Sequence, residues 1–167
     1  MRYDLIRKGG NVKRFHCHNT IRENTVAAHS WGVATILLHI CDPSPNLMRL
    51  ALYHDVFEHL TGDVPYTSKR DNPEVKTAMD LAEERAAKVM EIDTTWNILP
   101  GEEELFKLAD MLDFMVFCTE EIEMGNNGIE DLWQNGQRVV ISILSKIEKN
   151  QAAFDLYLSL KERVYGK

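Results

Sequence analysis

The chain is poor in cysteine, in net positive charge and in long apolar runs, and each shortage removes a class of protein. Its three cysteines, Cys17, Cys41 and Cys118, are scattered and form no CxxC. Neither a disulfide framework nor a zinc ribbon is indicated, and a reducing compartment is expected. The longest apolar stretch, Val33 to Cys41, is broken by Thr35 and His39 and is too short to span a bilayer. Met1 to Arg14 is mostly polar and charged, unlike a signal peptide. A soluble, cytoplasmic protein with no membrane partner is therefore expected.

The formal net charge is -7. Binding to a nucleic-acid polymer rests on many Lys/Arg–phosphate contacts, so a duplex is a poor candidate partner. A small phosphorylated ligand needs only a few local cations, and Arg14, Lys69 and Arg70 lie near the candidate site described below. Much of the acidity, from Glu102–Glu104 and from Glu120, Glu121 and Glu123, is elsewhere.

No segment shows sustained alternation, and no repeat, low-complexity tract or linker is visible. Apolar residues recur instead at spacings of three and four, the period of helices packed on a core. The chain reads as all-α, a single domain over residues 1–167. An irregular N-terminal arm is expected to about Asn24, with Gly9-Gly10 as a break. A first helix runs from about Thr25 to Cys41 and stops before Asp42-Pro43-Ser44-Pro45. A second is expected from about Asn46 to Leu60, halted by Thr61-Gly62, and Asp63 to Asp71 reads as a loop. Asn72 as N-cap and Pro73 at the first helical position open a helix to about Glu91. Another begins after Pro100-Gly101 and ends near Gly125-Asn126-Asn127-Gly128. Ile129 to Tyr165 reads as one long helix or two shorter ones.

The expected second helix contains the most informative feature. His54-Asp55 interrupts an apolar context, with Leu47, Leu50, Ala51 and Leu52 before it and Val56, Phe57 and Leu60 after it. Ionisable groups are rarely buried unless something pairs with them or a metal binds them. His29 precedes the pair and Asp110 follows on a later helix. Two imidazoles and two carboxylates make a nitrogen/oxygen donor set for a divalent cation. On a continuous helix His54 and Asp55 project about 100° apart and can share one cation. Glu58 then lies on the face of His54 one turn along, placed for acid or base work on a water. Asp63 follows at the mouth of the presumed pocket, and Asp113 competes with Asp110 on the same face. Histidines satisfied within a core fit the same spacing, and His16, His18, His39 and His59 are given that structural reading.

The segments Thr25–Ser30, Ala51–Glu58, Thr61–Pro65 and Lys107–Asp110 together resemble the HD-domain phosphohydrolases. Within them the resemblance is to the small 5'-deoxynucleotidases of the YfbR type and the phage dATP triphosphohydrolases of the DatZ type. It runs from about Arg14 to Gly128 and includes the string His54-Asp55-x-x-Glu58-x-x-Thr61-Gly62-Asp63-x-Pro65. It implies an HD-domain helical bundle with His29, His54, Asp55 and Asp110 as metal ligands. Glu58 matches the acidic residue that activates or positions the attacking water, and Asp63 a second catalytic carboxylate. Arg14 matches a phosphate-binding arginine, and Lys69 resembles a basic residue that contacts the phosphate chain. Phe15 stands where the bacterial enzymes carry a Trp that crowds the sugar 2' position. His16-Cys17-His18 departs from the bacterial pattern and is the place to look for nucleobase contacts, with Cys17 among them.

The resemblance implies a metal-dependent enzyme that cleaves the 5'-phosphoester of a 2'-deoxynucleotide, with dATP giving deoxyadenosine and triphosphate. The alternative is a 5'-deoxynucleotidase releasing phosphate from deoxynucleoside monophosphates. A non-catalytic HD-fold nucleotide sensor is the rival from another class, opposed by intact Glu58 and Asp63. Action on cyclic dinucleotides or alarmones is disfavoured because no second His-rich cluster is present. Cobalt, manganese, zinc, nickel, iron and magnesium remain candidate ions. A homo-oligomer is expected from the apolar residues of the C-terminal helices, Leu132, Trp133, Val139, Leu144, Phe154 and Leu158. If the gene belongs to a phage, the compartment is the host cytoplasm.

Overall fold

The helical period of the sequence is realised around one long helix. The structure, a computed structural model, describes residues 1–166, and for Tyr66 its backbone alone. Lys167, the last residue of the expected domain, lies outside the described residues. Helix α1 (Tyr3–Gly10) is followed by strands β1 (Lys13–Arg14) and β2 (Asn24–Thr25), then α2 (Val26–Ile40) and α3 (Pro45–Tyr53). A 3₁₀ turn (Val56–Leu60) leads to α4 (Tyr66–Asp71), α5 (Pro73–Met90) and α6 (Glu102–Glu123). A second 3₁₀ turn (Asn127–Ile129) precedes α7 (Glu130–Leu144) and α8 (Gln151–Tyr165).

Helix α6 packs along α2, α7 and α8, and also touches α3. The main core between them is built from Val33, Leu37, Leu47, Leu108, Leu112, Met115, Trp133 and Leu160, all essentially inaccessible. A second cluster, Val56, Phe57, Ala86, Ala87, Met90 and Ile92, joins the first 3₁₀ turn to α5, with Leu5 and Ile6 of α1 against it. Among the described residues no helix is long and apolar enough to cross a membrane.

Local chemistry sets the ends that matter. Thr25 caps α2 by accepting from the Ala28 N–H, and Ser44 caps α3 by accepting from Leu47 N–H at 3.1 Å, with Pro45 in the first turn. Buried Glu102 accepts from Ser44 N–H (2.9 Å), Ser44 hydroxyl (2.8 Å) and Leu99 N–H (2.7 Å), tying the start of α6 to the start of α3. That tie helps hold the helices of His54 and Asp110 in register.

Four expectations are corrected. The N-terminal arm is not irregular, because it contains α1. Gly9 there is a close approach rather than a break, since a Cβ would lie 2.0 Å from the Val56 carbonyl oxygen. The helix expected to Leu60 ends at Tyr53. Leu47 and Ala51 belong to the main core while Val56 and Phe57 belong to the second cluster, and the chain turns at His54-Asp55 and continues in the tighter 3₁₀ geometry from Val56. Asp63–Asp71 is not all loop, since Pro65, with φ already near the helical value, leads into α4. Asn72 precedes Pro73 as expected, but its side chain donates to the Ser68 carbonyl at 3.0 Å instead of capping α5. The C-terminal region forms two helices. Of its apolar residues Trp133 is fully buried, while Val139, Phe154 and Leu158 are exposed.

Candidate metal and phosphate site

His29 is buried on α2, one turn inside the cap made by Thr25. Its Nδ1 lies 2.7 Å from Asp113 Oδ2, and a carboxylate only accepts, so Nδ1 carries the proton. His54 closes α3 and sets its Nδ1 3.0 Å from the Ala51 carbonyl oxygen, which imposes the same tautomer. The two Nε2 atoms then face each other at 3.2 Å, and Asp110 Oδ1 stands 2.9 Å from that of His29. Three electron-pair donors thus converge with no proton left over among them when both rings are neutral. His29, His54 and Asp110 form a group whose ligand atoms all lie within 4.8 Å of one another. A divalent cation suits this donor set.

Asp55 stands beside the trio, its Oδ2 3.4 Å from His54 Nε2 and 3.8 Å from His29 Nε2. The same oxygen accepts from Arg14 Nη1. Arg14 reaches it because β1 pairs with β2, Arg14 opposite Asn24, beside the start of α2. Burial pushes the Asp55 carboxyl up, but the charges of His54, Arg14 and His29 hold it well below its ordinary value. Burial also disfavours charge on His54, yet Asp55 and Asp110 lift its pKa to about 9. For Asp110 burial is outweighed by the hydrogen bond and charge of His29, and its carboxyl is lowered. The site attracts a positive charge.

The 3₁₀ turn changes the place of Glu58. It lies three residues beyond Asp55, and the Glu58 N–H donates to the Asp55 carbonyl at 3.1 Å. In this geometry positions i and i+3 eclipse, so Glu58 shares a face with Asp55 rather than with His54 as a continuous helix would require. Glu58 is buried, and its Oε2 has no hydrogen-bond partner among the described residues. Burial, with the charges of Asp55 and Asp63, raises its pKa to about 8. Lys69, on α4, lies 3.8 Å from both Glu58 and Glu83.

Asp63 accepts from the Phe15 N–H at 3.3 Å. Phe15 has φ +58°, a conformation uncommon for a bulky residue. Its ring lies against Phe114 and Phe117, with centroids 5.4 and 4.6 Å away, so its packing is toward α6. Residues 15–23, between β1 and β2, form a loop bordering an open cavity of about 450 Å³, which His16 and His18 line. Cys17 is exposed and is not among the lining residues. The loop is clamped by Glu121, which accepts from Ile21 N–H (2.7 Å), Arg22 N–H (3.0 Å) and Asn126 Nδ2 (2.8 Å).

The structure therefore brings together His29, His54, Asp55, Asp110, Arg14, Glu58 and Lys69. Asp63 and Phe15 join through the backbone, and Cys17 stays outside. Sequence reasoning missed Glu83 and the clamp on the loop. It left Asp113 undecided, and the structure puts that residue on the far side of the His29 ring from the trio.

The helical fold is that of a solved HD phosphohydrolase. The chain resembles the cyanophage S-2L HD phosphohydrolase (DatZ), solved bound to dA and one catalytic Zn²⁺ ion, with a TM-score of 0.72. Sequence identity there is 19%, over 100% of this chain and 98% of that one. A model of the YfbR-like 5'-deoxynucleotidases matches residues 3–157, and the chain belongs to that family of hydrolases. Similar proteins include the 5'-deoxynucleotidase of Yersinia pestis (strain Pestoides F) and that of Yersinia pseudotuberculosis serotype O:1b (strain IP 31758). Each is 27% identical over 139 residues, covering 70% of this chain and 71% of the relative.

Proposed function

We propose that residues 1–167 act as one HD domain that hydrolyses the 5'-phosphoester of 2'-deoxynucleotides in a metal-dependent reaction. The favoured reaction is dATP to deoxyadenosine and triphosphate. The observation that carries the proposal is the meeting of His29 Nε2, His54 Nε2 and Asp110 beside an unpartnered, buried Glu58 oxygen. His29, His54 and Asp110 hold the cation, with Asp55 as the fourth ligand. When bound, the ion supplies Lewis-acid charge to the phosphoryl oxygens.

The remaining chemistry belongs to the chain's own groups. Arg14 and Lys69 place positive charge where the phosphate chain would lie, and Arg14 Nε is buried with no partner among the described residues. The Glu58 carboxylate takes a proton from the attacking water. The water oxygen bonds to the α-phosphorus as the bond to O5' breaks. The proton passes to O5', which leaves as the deoxynucleoside hydroxyl, and the water oxygen stays on the released phosphate chain. Asp63 holds the Phe15 backbone, and Phe15 shapes the sugar side, with His16 and His18 toward the cavity. Cys17 retains a role only if substrate brings the loop inward.

The names of the curated relatives favour a second reading, release of phosphate from deoxynucleoside monophosphates. The dA bound in the DatZ structure favours an adenine deoxynucleotide, and the Arg14/Lys69 pair supports the triphosphate reading. Metal-stripped protein resupplied with Zn²⁺, Mn²⁺, Co²⁺ or Mg²⁺ separates them when offered dATP, dAMP, ATP and AMP. Triphosphate with deoxyadenosine from dATP supports the first reading. Phosphate from several deoxynucleoside monophosphates supports the second. No metal-dependent turnover overturns both and favours a nucleotide-binding sensor. A homo-oligomer working in the cytoplasm is part of the same proposal, and the exposed Val139, Phe154 and Leu158 support the assembly.

A further inference from the structure

The two aspartates that compete in the sequence, Asp110 and Asp113, are three residues apart and share one face of α6. They bracket a single ring. Asp110 Oδ1 is 2.9 Å from His29 Nε2, and Asp113 Oδ2 is 2.7 Å from His29 Nδ1. The two nitrogens of an imidazole point away from each other. Asp113 therefore cannot share an ion with Nε2 while it holds Nδ1.

A third residue completes the arrangement. Gly32 is one turn beyond His29 on α2, and a Cβ there would stand 1.8 Å from Asp113 Oδ1 and 2.6 Å from its Cγ. Any larger residue would drive the carboxylate off His29. Gly32 is buried in the middle of a helix, where glycine is otherwise unfavourable by about 1 kcal/mol. The hollow it leaves is filled by the Asp113 carboxylate.

We propose that Asp113, admitted by Gly32, is the positioning residue of the metal centre. It fixes His29 in the Nδ1–H tautomer and orients the ring so that the bare Nε2 faces His54 and Asp110. A carboxylate behind a metal-binding histidine commonly changes metal affinity by about 10–100-fold. The inference rests on the metal reading above, and its test distinguishes the two.

The experiment measures Zn²⁺ affinity by chelator competition, with the melting temperature of the metal-free protein, for wild type, D113N, D113A, G32A and G32A/D113A. The expected result is a loss in D113A of about 10–100-fold. D113N keeps an acceptor without the charge and falls between D113A and wild type. G32A weakens binding in the wild-type background but adds nothing in the D113A background, where the extra methyl has room. In the Zn²⁺-loaded wild type the His29 Nδ1–H gives a slowly exchanging nitrogen-attached proton signal, which D113A loses. D113A affinity within about 3-fold of wild type, well below the range for such partners, overturns the inference. So does a G32A effect of equal size in both backgrounds, or a fall in metal-free stability with no fall in affinity. A wild type that binds no Zn²⁺ overturns the metal reading as well.

Discussion

The Nε2 atoms of His29 and His54 face each other at 3.2 Å, each ring having committed its Nδ1 proton to an acceptor behind it. Two lone pairs so placed repel unless a cation lies with them. A proton can serve, and a divalent ion serves better because Asp110 and Asp55 add charge. The site's function follows from this need.

Replacing His54 by Ala removes one of the two imidazoles without opening the main core. Zn²⁺ affinity is expected to fall beyond the roughly 100-fold upper end known for outer-shell partners. The metal-free fold should persist by circular dichroism.

Proton competition makes binding pH-dependent. With its pKa lifted to about 9, His54 in the metal-free protein is protonated at pH 7 and must release that proton to bind an ion. Apparent Zn²⁺ affinity should rise with pH from 6 toward 9, and flatten above it. Calorimetry in two buffers of different ionisation enthalpy should detect a released proton at pH 7.

Glu58→Gln removes the proton acceptor while keeping shape. The expected fall in kcat is about 10²–10⁴-fold, the usual share of general acid–base catalysis. Zn²⁺ affinity should change little, because Glu58 is not a ligand.

Phe15→Ala tests the sugar side. Discrimination between dAMP and AMP, or dATP and ATP, is expected to narrow by about 10-fold or more, the scale of one lost packing contact in a specificity pocket. The ratio of kcat/KM values reads this directly.

Glu102 makes stability acid-sensitive. Burial pushes its carboxyl up, but the N–H groups of Leu99 and Ser44 and the Ser44 hydroxyl outweigh burial and hold it below its ordinary 4.5. A group lowered on folding stabilises fully above its unfolded value and loses that contribution as pH falls through the folded one. Glu102→Gln should therefore cost about 1–3 kcal/mol at pH 7. Urea titrations should show the difference shrinking below pH 4.5.

Much of the fold was legible because its punctuation is local. Thr25, Asn72-Pro73, Pro100-Gly101 and Gly125–Gly128 mark ends through backbone chemistry that acts within a few residues. The misread places depend on distant partners. Helix α1 is short, and its Gly9 reads as a breaker until Val56 is seen against it. The stretch from Asn46 to Leu60 looks like one helix until its two ends are assigned to different cores. At the site, residue types and spacing suggested the His29, His54, Asp55 and Asp110 set. Spacing could not separate Asp110 from Asp113, because they differ only in which nitrogen of His29 they meet. Nor could it reveal that Arg14 turns to Asp55, a contact across 41 positions.

The most direct test of the account is a crystal structure of the Zn²⁺-loaded protein with an anomalous difference map at the zinc edge. One strong peak is expected about 2.0–2.2 Å from His29 Nε2, His54 Nε2 and Asp110, with Asp55 adjoining and Asp113 on Nδ1. No peak among those residues, or a peak held by Asp113 with His29 turned away, would contradict it.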